Sequence, residues 1–190
     1  MKKNGMFFLF LQMTLAFCTE IDGLNGGFEK VVLREKIIMP AGWYRNNNVT
    51  KNAQIELCEE KSLVHGGKRS LYMESESNGR GYVFHSGIEY QAGKVWRVSA
   101  FIKGTGKVKL GMGIDGFKED KNTRKFISSL SSKPFEASSK FRQVEWIFQY
   151  PPKTLDGVEY KNFILVPFID VQGSAILFID DFAIEELKKR

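Results

Sequence analysis

Apolar and polar residues alternate with a period of two along several short stretches of this chain, and turn residues punctuate them. The clearest stretches run over 70–74, 81–85, 95–103, 107–112, 143–150, 162–169 and 175–185. Between them fall Gly66-Gly67, Asn78-Gly79, Ala92-Gly93, Gly104-Thr105-Gly106, Pro151-Pro152, Asp156-Gly157 and Gln172-Gly173. Short strands rich in β-branched and aromatic residues, bounded by such turns, predict an all-β sandwich. No stretch of similar strength has helical spacing. Residues 117–132 are polar and charged, and predict a long loop with room for a helical turn.

Side chains of a strand point to alternate faces. Over 95–103 this sends Trp96, Val98, Ala100 and Ile102 to the core, and Arg97, Ser99, Phe101 and Lys103 outward. Over 144–150, Val144, Trp146, Phe148 and Tyr150 form the apolar face, and Glu145 and Gln149 lie outside. The last strand contains an anomaly. In Ile176-Leu-Phe-Ile-Asp-Asp-Phe-Ala-Ile184 strict alternation groups Asp180 with Ile176, Phe178, Phe182 and Ile184, and puts Asp181 on the other side. A buried carboxylate is tolerated only when paired, hydrogen-bonded or bound to a metal.

The amino terminus changes the picture of where the chain works. Lys2 and Lys3 precede an apolar run from about Met6 to Phe17, the layout of a secretory signal peptide and too short for a comfortable membrane span. Residues 1–18 are the expected leader, with cleavage after Cys18 or lipid attachment to Cys18 as alternatives, and residues 19–190 are one expected domain. This places the protein outside the cytoplasm, in a bacterial periplasm, at a cell surface or in the medium. The formal charge of +6 includes Lys2 and Lys3; without them 26 basic residues stand against 22 acidic ones, or +4. The basic residues are spread out with no stripe, so nucleic acid is not an expected partner.

The chemistry-bearing motifs are few. Gly111-Met-Gly-Ile-Asp-Gly116 has the glycine spacing of a dinucleotide-binding turn, but the charged residues after it offer no helix to pack on a sheet, so it is read as strand and turn. His65 and His85 are the only histidines, and no H-E-x-x-H or C-x-x-C motif is present. A proton-abstraction site from Tyr82, His85 and Arg97 is the one enzymatic constellation the sequence suggests, and would make the chain a polysaccharide lyase or hydrolase. Asp180 and Asp181, on opposite faces, do not form the carboxylate pair of a glycosidase.

Six short motifs in order carry a resemblance. They are Asn25-Gly-Gly-Phe-Glu29, Gly42-Trp43, Gly67-Lys-Arg-Ser-Leu71, Ala92 to Ser99, Phe141 to Phe148, and Ile179-Asp-Asp-Phe-Ala-Ile184. Together they resemble the carbohydrate-binding modules of the family 4, 9 and 22 group, over nearly all of the chain after the leader. The resemblance implies a galactose-binding-domain-like β-jelly roll of two antiparallel sheets with its first and last strands side by side. It also implies a structural Ca²⁺ held by Glu29, Asp180 and carbonyls near Lys68, oxygen donors of the kind calcium takes. The alternative for Asp180 is hydrogen bonding to turn amides without a metal.

Sugar recognition needs flat aromatic faces and planar polar groups on a preformed surface. The candidates are Trp43, Tyr44, Tyr82, His85, Arg97, Phe101, Glu145 and Gln149, with Trp43 the leading aromatic because it sits near a loop. The expected function is non-catalytic binding of a polysaccharide or glycan. A lyase or hydrolase, and a surface module that binds protein, are the alternatives.

Overall fold

The computed structural model describes residues 24–34, 37–89, 94–117, 124–149, 154–155, 158–159 and 162–187. The expected leader, Cys18, Tyr150 and the turns at 92–93, 151–152 and 156–157 lie outside the described residues. The chain opens with a hairpin, β1 (Val31–Arg34) against β2 (Ile37–Pro40), followed by β3 (Trp43–Arg45) and β4 (Lys51–Cys58). A single 3₁₀ turn at Lys61–Leu63 leads to β5 (Ser70–His85) and β6 (Ile88–Glu89). Next come β7 (Val95–Thr105), β8 (Lys107–Phe117), β9 (Arg124–Ser131), β10 (Phe135–Glu136) and β11 (Arg142–Gln149). A short pair, β12 (Thr154–Leu155) and β13 (Val158–Glu159), precedes β14 (Asn162–Gln172) and β15 (Ala175–Leu187).

All pairings among these strands are antiparallel, and the main sheet runs β10-β8-β14-β5-β15-β7-β11. It folds over at β5. The first half of β5, Ser70 to Ser75, pairs with β4 and β15, whereas Arg80 to His85 pairs with β3 and β14, with Lys51 of β4 still opposite Arg80. One layer is thus β4-β5-β15-β7-β11, and the other is β3-β5-β14-β8-β9. Asn78-Gly79, a turn signal in the sequence, marks the bend of this shared strand rather than a break between two strands. Exposed Glu76, Ser77 and Asn78 sit at the bend, where neither partner strand continues.

The inner faces of the two layers meet in one core. Trp96, Val98, Ala100 and Ile102 are buried as the alternation predicts, and Met73, Val83, Leu110, Met112, Leu165, Ile169 and Leu177 join them. Full burial of side chains this size contributes about 1.5–3 kcal/mol each before conformational entropy is charged against it. The expected loop at 117–132 is corrected in part: Arg124 to Ser131 forms β9 along the edge of β8. Its serines hid it. An edge strand with one solvated face needs little apolar surface, so composition alone gives no strand signal. Among the described residues no helix is long and apolar enough to cross a membrane.

Candidate functional site

The second half of β5 decides where most of the expected site residues go. Tyr82 and Phe84 point out of the sandwich, and Val83 and His85 point in. His85 is 3% exposed, faces Trp43 across the β3–β5 ladder, and accepts a hydrogen bond at Nδ1 from the Gly87 amide at 3.2 Å. Trp43 is fully buried: its indole N–H donates to the Leu24 carbonyl at 3.1 Å, and its ring meets Phe28, His85 and Phe182 edge-on at 5.1–5.6 Å. Neither ring presents a face to a ligand. Nearness to a turn misled the sequence reading, because that turn folds inward under the first described residues.

Arg97, Glu145 and Gln149 lie on the outer face of the other layer. Arg97 donates from Nε to Glu185 at 2.9 Å, with Glu145 at 3.8 Å from its Nη1, so the guanidinium is engaged within the sheet. Phe101 is covered by the His65 ring, stacked at 3.6 Å and 12°. The predicted set is therefore divided: Trp43 and His85 in the core, Arg97, Phe101, Glu145 and Gln149 on one outer face, and Tyr44 and Tyr82 on the other. In particular Tyr82, His85 and Arg97 are not brought together, so the proton-abstraction constellation has no geometric basis.

Around Tyr82 the structure builds a surface that the sequence reading left mostly unnamed. Strand register sets Tyr44, Phe84, Phe168, Gly111 and Ser131 in one row across β3, β5, β14, β8 and β9. The next row along holds Val166, Gly113 and Ser129, and beyond it stand Asp115 and Phe126. Tyr82 stacks on Phe168 at 5.2 Å, and Tyr44 on Phe84 at 5.6 Å. Guanidiniums cap the ends of this platform, Arg34 lying 3.9 Å from the Tyr44 ring centre and Arg80 lying 5.5 Å from that of Tyr82.

Gly111 and Gly113 make the platform a groove. A side chain at Gly111 would meet the Phe168 ring at 1.9 Å, so the absence of one lets that ring lie flat across β8. At Gly113 the added carbon would be 3.4 Å from Val166 and 4.0 Å from the Phe126 ring, ordinary contacts, so the floor between those two side chains is kept low by the glycine. Asn46, Tyr82, Phe84, Asp115, Phe126, Ser129, Val166 and Phe168 line the resulting hollow. Asp115 and Arg124 close one end through a bond of 2.6 Å, and Phe126 is 63% exposed above it. Burial, with the Asp170 charge second, pushes the Tyr82 hydroxyl up to about 12, while Arg80 pulls it the other way. At neutral pH it is therefore a proton-bearing hydrogen-bond partner, not a base. The alternation along β8 was the available signal: Lys109, Gly111, Gly113 and Asp115 share one outward face that is half glycine.

The two adjacent aspartates belong to a different feature. A bulge in β15 puts Asp181 and Phe182 opposite Ala100 alone, and Asp181 adopts φ 47°. Before the bulge the buried positions are Ala175, Leu177 and Ile179, and after it Phe182 and Ile184. The expected placement of the two aspartates on opposite faces is thereby corrected, since both reach the turn at His65–Arg69. Asp180 is fully buried and accepts from the amides of His65 (2.9 Å), Gly66 (3.0 Å) and Asp181 (2.8 Å). Asp181 bonds the His65 ring at 2.7 Å. Glu29 accepts from the amides of Lys68 (2.6 Å) and Arg69 (3.1 Å), and Gly67, at φ +66°, leaves room for it.

Glu29, Lys68 and Asp180 are thus gathered about one turn. A calcium shell needs oxygens there, yet this turn aims N–H groups at both carboxylates, and Lys68 turns its amide, not its carbonyl, toward Glu29. Among the described residues no three His, Cys, Asp or Glu side chains converge as metal donors. The donors shown account for amide capping of both carboxylates.

No family model matches this chain, and no curated protein matches it. Solved structures do resemble it. One is a family 4 carbohydrate-binding module, at a TM-score of 0.50 and 10% identity, over 86% of this chain and 98% of that one. Another is a Stig cyclase from Fischerella sp. TAU in complex with an indole compound, at 0.59 and 11%, over 91% and 100%. A third is an arabinose-bound α-L-arabinofuranosidase, at 0.55 and 17%; 90% of this chain matches 26% of that one. Identities this low speak for fold alone. The chain has the β-sandwich fold of carbohydrate-binding modules, and one protein of that fold is a cyclase, so function must be argued from the site.

Proposed function

We propose that this chain is an exported carbohydrate-binding protein that holds a glycan, without cleaving it, in the groove over β5, β14, β8 and β9. The observation that carries the reading is the glycine-floored aromatic platform of Tyr44, Phe84, Tyr82 and Phe168 with Phe126 at its edge. Flat rings suit the C–H faces of sugars, and the Asp115–Arg124 pair offers planar hydrogen-bonding groups to hydroxyls. Strand-borne groups of this kind are fixed before the ligand arrives, which reduces the ordering cost of binding. The leader read over residues 1–18 supports export.

Affinity electrophoresis through gels containing different polysaccharides, with reducing and unsaturated ends assayed in parallel, tests the reading. Retardation by at least one polymer without new ends is expected. New ends would make the protein an enzyme, and no retardation across a broad panel would remove the glycan reading altogether. Gly113→Leu supplies a sharper check. Its first added carbon makes only ordinary contacts, so the variant should fold with its melting temperature near that of the parent, while its side chain fills the groove. A tenfold or greater loss of glycan affinity is expected, and unchanged affinity would move the ligand elsewhere.

A further inference from the structure

Cations gather at the Tyr82 end of the groove beyond what its carboxylates neutralise. Lys107 and Lys109 occupy the outward positions of β8 before Gly111, and Lys109 stands in register with Asp170. On the other side Lys51 pairs in register with Arg80. Asp170 is 5% exposed and already committed, accepting from Arg80 Nε and Nη2 at 2.8 and 2.9 Å and from Gln172 at 2.8 Å. Lys107 meets Glu136 at 3.0 Å, but both side chains are more than 60% exposed, and such a pair is held weakly. Among the described residues, four cations thus face two carboxylates, and no salt bridge joins Lys51 or Lys109 to a carboxylate. A hollow lined by Lys107, Val108, Lys109, Pro134, Asp170 and Gln172 opens beside them.

The opposite outer face has the reverse balance. There Glu56, Glu74, Glu145 and Glu185 accompany Arg97 and Lys103, so the positive end of the groove is not a general property of the surface. A neutral sugar would leave Lys109 without a counter-charge at the point where it adjoins the Tyr82 platform. We infer that the glycan is anionic, and that Lys109, backed by Arg80, Lys107 and Lys51, receives a carboxylate or sulfate group of a residue next to the one on Tyr82. This rests on the groove being the glycan site. Among the described residues Asp170 takes Nε and Nη2 of Arg80, and Nη1 is directed to the same group in this reading. Charge-assisted bonds of this type are stronger than those to hydroxyls.

The test uses matched polymers at about 0.15 M salt, where long-range attraction is screened beyond roughly 8 Å. Pectate is compared with its fully methyl-esterified form, and a sulfated galactan with its desulfated form. The inference expects at least tenfold preference for the charged member of one pair, and which pair responds identifies the group as carboxylate or sulfate. Lys109→Gln should abolish the preference, whereas Lys61→Gln, an equal loss of charge at the exposed 3₁₀ turn on the other layer, should keep it. Equal binding of charged and neutral members overturns the inference and leaves the glycan reading standing. Equal losses in the two lysine variants overturn it too, by reducing the preference to net charge. No binding of any polymer removes both.

Discussion

Trp43→Ala is expected to lower folding stability by about 3–5 kcal/mol, the range for deleting a fully buried large aromatic. The indole fills the space between Phe28, His85 and Phe182, and its N–H holds the Leu24 carbonyl, so truncation opens a cavity and leaves an unsatisfied acceptor. Urea denaturation measures the loss. Trp43→Phe, which keeps most of the packing, should retain the parent's glycan affinity. A Trp43→Ala protein as stable as the parent but blind to glycan would return Trp43 to the ligand surface and contradict the packing described above.

Asp180→Ala should also be damaging, at about 1–3 kcal/mol, because it removes the acceptor shared by the part-buried amides of His65, Gly66 and Asp181. Desolvation raises the Asp180 pKa above its ordinary 3.8, and the nearby Asp181 charge adds to this, against the opposing pull of the three amides. A carboxyl with a raised folded pKa binds its proton more readily in the native state. The part of its contribution that is linked to protonation is thus fully present below pH 3.8 and is lost as pH rises through the folded value, while its hydrogen bonds to the three amides remain. Relative to Asp180→Asn, the parent should lose stability as pH climbs above that point, measured by denaturation at stepped pH. Chelator should leave the melting temperature unchanged. A chelator-induced drop that vanishes in Asp180→Ala would put calcium on these carboxylates after all.

Alternation made much of the fold legible. The inward set Trp96, Val98, Ala100 and Ile102 could be read directly because β7 runs straight between two neighbours. It failed at β15, where one extra residue at Asp181–Phe182 exchanges the faces, and nothing in a local pattern of apolar residues marks such a bulge. The anomaly that it produced, a carboxylate in an apolar run, was nonetheless visible. What it signalled was a capped turn. The resemblance predicted that Glu29, Lys68 and Asp180 would meet, and they do, but the direction of an amide is not encoded in a motif of side chains.

The groove was harder to see, for a physical reason. A binding face is assembled from rows that cross strands, and Tyr44, Phe84, Phe168 and Phe126 come from four strands whose registers are fixed by the whole sandwich. Of these residues and Tyr82, only Tyr44 and Tyr82 were named in advance. Trp43 and His85 were misplaced because a residue beside a turn carries no local sign of whether that turn covers it.

The most direct test of the account compares Tyr82→Ala with Arg97→Ala in binding to whichever polymer retards the parent, with melting temperatures confirming that both variants are folded. Tyr82 lies in the groove and Arg97 on the opposite layer. At least a tenfold loss of affinity, about 1.4 kcal/mol, in Tyr82→Ala with little change in Arg97→Ala is the predicted result. Affinity lost in Arg97→Ala and kept in Tyr82→Ala would place the ligand on the other face and contradict the site described here.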